Sequence, residues 1–298
     1  MKKGVILIAV LLLSAISSFS SIVSSEKEQP PITFDVDILY VDAENYGSIQ
    51  EAINAAISGD TVHVCPGIYY ENIIINKTID LLGGEKNTTI LDGEMEGTTI
   101  TITADNVTIA GFIIKNSGYS FPDAGINISS SYNTISGNNI TSNFYGITMY
   151  YACNNVIIGN NITNNEHCGI YMSESSNNVI LNNSLGGHLY SGIGLYDRSN
   201  NNVIVGNDIT NNDFCGINIR ESSNNNITGN TITDNNIGIH IPTSRYSNHI
   251  SGNILRDNSN NIEKEFELTI EMLAIVCTAV CGISLLLFWI WRRRRKNT

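Results

Sequence analysis

The 23 residues from Gly146 to Cys168 read GITMYYACNNVIIGNNITNNEHC, and the next 23, from Gly169 to Ser191, read GIYMSESSNNVILNNSLGGHLYS. Laid one over the other, they share a Gly-Ile start, an Asn-Asn-Val-Ile centre and an aliphatic residue five positions further on. The register extends in both directions. The Gly-Ile pair recurs at Gly125, Gly146, Gly169, Gly192, Gly216 and Gly238. A second file is Ile135, Ile157, Ile180, Ile204, Ile227 and Ile250; a third is Ile140, Ile162, Leu185, Ile209, Ile232 and Leu255. Within the first strand Ile170 and Met172 alternate with Tyr171 and Ser173, the period of two that belongs to a β-strand with one buried face.

A repeat of 22 to 24 residues holding three short strands predicts one rung of a parallel β-helix. Burying about five aliphatic side chains at roughly 1.5–3 kcal/mol each does not offset ordering about 23 residues at roughly 1–2 kcal/mol each, so a lone rung cannot fold and copies must stack. Met149 and Met172 occupy inward positions and read as core. Asn and Gly crowd the intervals, as in Asn154-Asn155, Asn177-Asn178 and Gly159-Asn160-Asn161. Both types accept positive φ, so these intervals read as tight corners. A leucine-rich repeat lacks support because the LxxLxL spacing is absent, and a propeller blade needs a period nearer 40 residues.

Upstream, Ile73–Ile75, Ile79–Leu82, Ile100–Ile102 and Val107–Ile114 are looser β-like runs. Before them Ser48 and Glu51 have capping-box spacing, and Ile49, Ala52, Ile53, Ala56 and Ile57 make an amphipathic stripe that Gly59 ends. This predicts a short helix covering the open end of the core. The run Ser48-Ile-Gln-Glu-Ala-Ile-Asn-Ala-Ala, then Gly59-Asp-Thr-Val, then Pro66-Gly-Ile-Tyr with Tyr70-Glu-Asn, resembles the entry of pectin-lyase-like right-handed β-helix proteins. The Gly-Asn-Asn-Ile rungs are similar to the PbH1 repeats of NosD-like envelope proteins. The resemblance covers about Tyr40 to Ile262 and implies an all-β, right-handed, single-stranded parallel β-helix. It is weaker for function, since lyases, hydrolases, adhesins and unassigned surface proteins share the fold.

The ends locate the chain. Residues 1–25 have the basic start, apolar centre and small-residue run of a signal peptide. Residues 272–291 carry no charge and are long enough to span a bilayer core of about 30 Å. Trp289 and Trp291 suit the interface, and the basic tail 292–298 suits the cytoplasm. The expected order is signal peptide 1–25, lead-in 26–47, β-helix ectodomain 48–265 of about nine rungs, single span 272–291 and tail 292–298. Such a chain is a single-pass protein of the cell membrane with its body outside. Seven of its 16 bases sit at the two ends, leaving nine among 28 acids, a balance that repels phosphate backbones and excludes nucleic acid as a partner. Of six Cys, four (Cys65, Cys153, Cys168, Cys215) lie in the body, too few for a disulfide scaffold, and they read as small buried hydrophobes.

Counting five residues past the repeated Gly from Gly146 onward gives Tyr151, Glu174, Asp197, Glu221 and Thr243; counting four gives Tyr150, Ser173, Tyr196, Arg220 and Pro242. With Tyr171 and Arg198, these positions predict a surface where Tyr150, Tyr151, Tyr171 and Tyr196 stack on sugar rings while Glu174, Asp197 and Glu221 hold hydroxyls or Ca2+. The competing reading is a solvated ladder of acids partly neutralised by Arg198 and Arg220. A second ladder, Phe144, His167, Tyr190 and Phe214, reads as packing. No catalytic set is assigned: galacturonan hydrolases resembling this fold carry an adjacent Asp pair and a Gly-His-Gly segment, both absent here, and Gly186-Gly187-His188 is not that motif. The five His are too scattered for a metal site, and no cofactor beyond Ca2+ is implied. Eight sequons, at Asn76, Asn87, Asn106, Asn127, Asn139, Asn161, Asn182 and Asn226, are candidate N-glycosylation positions. The expected function is a non-catalytic surface module that binds glycan or builds the envelope. A polysaccharide lyase or glycoside hydrolase and a structural spacer are the alternatives.

Overall fold

The computed structural model describes residues 36–84, 87–243 and 245–264. The readings for 1–25, 272–291 and 292–298 lie outside these residues; among the described ones, no helix is long and apolar enough to cross a membrane. Each rung lends one strand to each of three parallel sheets. Sheet A has ten strands, from Ile38–Val41 to His249–Ser251; sheet B has nine, from Gly67–Tyr70 to Ile254–Arg256; sheet C has nine, from Ile73–Ile75 to Asn260–Lys264. Ile38–Val41 belongs to sheet A, so the stretch read as a lead-in already contributes a strand. The run Val107–Ile114 divides into Thr108–Ala110 and Ile113–Lys115, with Gly111 between them at φ 87°.

The three aliphatic files stack as their spacing requires. Ile157 pairs with Ile135 and Ile180, and Ile180 with Ile204. Ile162 pairs with Ile140 and Leu185, and Ile170 with Ile147 and Ile193. All of these, with Met149 and Met172, are fully buried in one continuous core. In the last rung Ile262 occupies the inward column of Ile239 and is 41% exposed, because no further rung lies over it among the described residues.

The asparagines do more than turn corners. In Asn154-Asn155, Asn164-Asn165 and Asn177-Asn178 the first member takes positive φ (58°, 52° and 60°) and faces solvent, a place that Gly137 and Gly159 take before Asn138 and Asn160. The second member is buried in a ladder running between rungs. One ladder is Asn133, Asn155, Asn178, Asn202, Asn225 and Asn248; the second is Asn138, Asn160, Asn183, Asn207, Asn230 and Asn253. The Oδ1 of Asn183 accepts from Asn160 N (2.9 Å) and Asn160 Nδ2 (3.1 Å), while its own Nδ2 donates to Ile157 O (2.9 Å) and Asn207 Oδ1 (3.0 Å). At the corners the chain leaves the sheets and its N–H groups lose their strand partners. The ladder supplies buried acceptors there. These bonds span 23 to 26 residues, so they are tertiary rather than local.

A third ladder, Asn143, Asn165, His188, Asn212, Asn235 and Asn258, contains one foreign member. His188 Nδ1 accepts from Asn165 N at 3.2 Å. Burial pushes the imidazole down to about 4 from its ordinary 6.5. The repeated Gly of the Gly-Ile pair serves close approach rather than positive φ: a Cβ on Gly146 would meet Gly169 O at 2.4 Å and Ile162 Cγ2 at 2.7 Å.

At the N-terminal end, helix α1 spans Ile49–Ala55 and sends Ile49, Ala52 and Ile53 into the core. Ser48 Oγ accepts from Glu51 N, but the next free N–H groups are taken by Glu71, whose two oxygens accept from Ile49 N (2.8 Å) and Gln50 N (3.0 Å). Lys77 Nζ donates to the carbonyls of Asn54 and Ala56 and so closes the other end. The helix stops four residues before Gly59, and Ile57, expected on the buried stripe, is 54% exposed. Of the body cysteines, Cys168 and Cys215 are buried, whereas Cys65 and Cys153 are partly exposed, contrary to the buried reading.

Asn183→Leu strands the N–H of Asn160 in the core and removes the bond from the Asn183 amide to Ile157 O, and should lower stability by about 2–4 kcal/mol. Asn182→Ala, at the exposed left-handed position beside it, should cost only about 1 kcal/mol. Urea denaturation followed by circular dichroism reads both. Because folded His188 binds its proton less tightly than the unfolded residue, its contribution is complete above about pH 6.5. It is lost as pH falls to about 4, by roughly 3 kcal/mol. His188→Asn restores the amide ladder and should flatten that acid limb; an unchanged pH profile would refute the assignment.

Candidate functional site

The outward face of sheet C carries two rows of rings. Tyr150 and Tyr171 are 5.6 Å apart, and Tyr171 and Tyr196 stack at 4.9 Å with 21° between their planes. Beside them His167 stacks on Tyr190 at 4.6 Å and Tyr190 on Phe214 at 4.8 Å, with Phe144 6.0 Å from His167. Tyr145 joins the rows, 4.6 Å from His167 and 5.3 Å from Tyr171. Phe121 closes the N-terminal end edge-on to Tyr145 and Tyr150, each at 6.2 Å. The second ladder therefore packs, as expected, and shares one surface with the first.

This geometry alters the expected use of the tyrosines. Rings stacked along the solenoid axis turn their faces to one another and their edges to solvent, so Tyr171 has no broad open face for a sugar. Tyr196 folds back over Gly194, where a Cβ would stand 2.4 Å from its ring, and its hydroxyl accepts from Asn218 Nδ2 at 2.9 Å. Burial, reinforced by neighbouring phenols and thiols, raises the phenols of Tyr145, Tyr150 and Tyr196 well above their usual range, and burial lifts the Cys215 thiol to about 12. Burial also lowers the His167 imidazole, so the rows carry no charge at neutral pH.

The acids do not form the expected ladder. Tyr151, Glu174, Arg198 and Glu221 each precede a member of a buried row, Ala152, Ser175, Ser199 and Ser222, in which each Ser Oγ accepts the N–H of the rung before. The rung from Gly192 is one residue longer, and its two consecutive left-handed residues, Asp197 (φ 48°) and Arg198 (φ 64°), absorb the excess. Arg198 thus enters the column where counting placed Asp197. It pairs with Glu174 at 2.8 Å, while Asp197 accepts from Ser173 Oγ at 3.1 Å and Arg220 lies 3.9 Å from Glu221. Neutralisation by the two arginines is therefore the arrangement found. Among the described residues no three His, Cys, Asp or Glu side chains converge to hold a metal ion. Tyr151 stands apart from the ring rows at the corner, 71% exposed, its phenol raised by a hydrogen bond to Glu174.

Where the rows end, a cavity of about 480 Å³ opens. Tyr190, Tyr196 and Phe214 form its aromatic side; Asn218, Arg220, Glu221, His240, Pro242, Thr243, Arg245 and Tyr246 complete it. It unites Tyr196, Arg220 and Glu221 of the predicted set and leaves out Tyr150, Tyr151, Tyr171, Glu174, Asp197 and Arg198. Asn218 and His240 were missed, although both stand two residues past the repeated Gly, in register with the Tyr171 column. All eight sequon asparagines are at least partly exposed.

Fold and cavity together define a parallel β-solenoid with an aromatic-walled recess on its side. The chain belongs to the right handed beta helix region family, whose model matches residues 86–255. A cell surface glycoprotein of Methanothermus fervidus is 35% identical over 116 residues, which is 37% of this chain and 18% of that protein. Among solved structures, the catalytic domain of a GH87 alpha-1,3-glucanase in complex with nigerose has a TM-score of 0.61 at 17% identity, covering 82% of this chain and 46% of that one. The alginate lyase from Paenibacillus sp. str. FPU-7 has a TM-score of 0.52 at 16% identity, covering 72% and 94%. At these identities the likeness is one of fold.

Gly194→Ala should force the Tyr196 ring off its seat without touching the core. The expected result is a changed near-ultraviolet circular dichroism of the tyrosines with the far-ultraviolet spectrum retained.

Proposed function

We propose that the chain is a membrane-anchored surface protein whose β-helix binds a glycan non-catalytically, with the recess at the end of the aromatic rows as its site. The observation that carries this reading is the recess itself. Tyr196 is the last ring of its row among the described residues, and Asn218, Arg220, Glu221 and Thr243 surround the space beyond it with donors and acceptors. An apolar wall beside convergent polar groups suits a pyranose, which offers a C–H face and a rim of hydroxyls. Surface display is supported by the signal and span patterns of the sequence and by the name of the Methanothermus relative.

The hydrolase reading has less to draw on. Two-carboxylate glycosidases hold their acids about 5–10 Å apart. Glu221 is the one carboxylate among the described residues lining the recess. The polysaccharide-active names among structural relatives bear on the scaffold.

The purified chain, offered neutral and acidic polysaccharides, should retain at least one without releasing reducing ends or unsaturated uronates. Arg220→Ala and Tyr246→Ala should each weaken that retention by about tenfold, the loss of roughly 1.4 kcal/mol. Tyr150→Ala, at the far end of the row, should leave it unchanged. Cleavage would establish the enzyme, and retention of no polysaccharide would favour the spacer.

A further inference from the structure

We infer that Asn139 and Asn161 form a single N-glycosylation site that carries one oligosaccharide, on either residue but never on both. The strands Asn139–Thr141 and Asn161–Thr163 are neighbours in sheet B, with Asn139 opposite Asn161 and Thr141 opposite Thr163. Two complete sequons therefore lie in register one strand spacing apart, about 4.8 Å. Their side chains touch: Asn161 Nδ2 donates to Asn139 Oδ1 at 3.3 Å. Both border one hollow of about 330 Å³. Its rim includes Gly137 and Gly159, at φ 63° and 64°, where an added Cβ would meet nothing within 4 Å. The corner is bare backbone, open to receive the first sugar from either amide, and a sugar seated from one strand occupies the space needed by the other.

A third sequon asparagine, Asn87, lines the same hollow, but its partner hydroxyl belongs to Thr89, which is fully buried. A transferase reads the hydroxyl two residues past the asparagine, and a buried one cannot be presented. Thr141 and Thr163 are partly exposed. The modification needs export and an oligosaccharide on a lipid phosphate carrier. The bond from Asn Nδ2 to the sugar C1 forms, the bond from C1 to the phosphate oxygen breaks, the amide proton passes to a base of the transferase and the lipid phosphate leaves. Sheet C carries no sequon from Tyr145 onward, so a glycan on sheet B leaves the aromatic recess uncovered.

The test is glycopeptide mass spectrometry of the chain recovered from its own cells. Trypsin has no cleavage site between Lys115 and Arg198, so both asparagines stay on one peptide together with the sequons at Asn127 and Asn182, and fragmentation that resolves each position reads their joint occupancy. The expected peptide carries a glycan at Asn139 or at Asn161. Thr163→Ala should move all of it to Asn139, and Thr141→Ala all of it to Asn161, both changes lying on the outward face where folding is little affected. Peptides glycosylated at both positions, or at neither, would overturn the inference.

Discussion

The constraint on which the molecule depends is the fate of the backbone amides at its corners. Along the flat sheets every rung satisfies the next, but each change of direction would strand N–H groups in an apolar interior. The buried asparagine ladders remove that penalty, because an amide presents an acceptor to one neighbouring rung and a donor to another while fitting beside an isoleucine. Once the corners are satisfied in this way, the strands between them need only three residues. Close packing at the Gly-Ile column follows, since ladder amides, glycine carbonyls and isoleucine methyl groups share the same few ångströms.

The site is a consequence of irregularities in that order. One extra residue at Asp197-Arg198 moves an arginine into a column of glutamates and turns a repulsive arrangement into paired charges. Gly194, standing between Tyr171 and Asn218 in its column, leaves room for the Tyr196 ring to fold over it and stack on Tyr171 as the last ring of the row. Beyond it the outward column changes from rings to Asn218 and Arg220, and the recess begins there. The recess thus sits where the repeat departs from itself, with the regular rungs beside it.

The aliphatic files were legible because side-chain alternation leaves a direct trace in the sequence: Ile157, Ile180 and Ile204 stand one above another as their spacing requires. The ladders were not, because Asn155 and Asn154 look alike as letters and only their φ angles and neighbours separate a core residue from a surface one. His188 was dismissed as a failed motif, when its position five residues after Asn183 placed it in a ladder. The acid column failed for a different reason. Counting from the glycines assumes equal rungs, and Asp197-Arg198 breaks that assumption by a single residue. The recess draws on three columns and the segment from Pro242 to Tyr246, a convergence that no single periodicity carries.

The ladders also have a direction. Every rung offers its oxygens toward the N-terminus and its backbone N–H groups toward the C-terminus, so any rung can succeed any other with the same polarity. Duplication or loss of one whole unit in the gene therefore yields a taller or shorter column whose new joints repeat the same kinds of bond. A shift of a few residues inside a unit would break all three ladders at once. Copying units therefore changes how far the recess stands from either end of the column without requiring a new kind of contact.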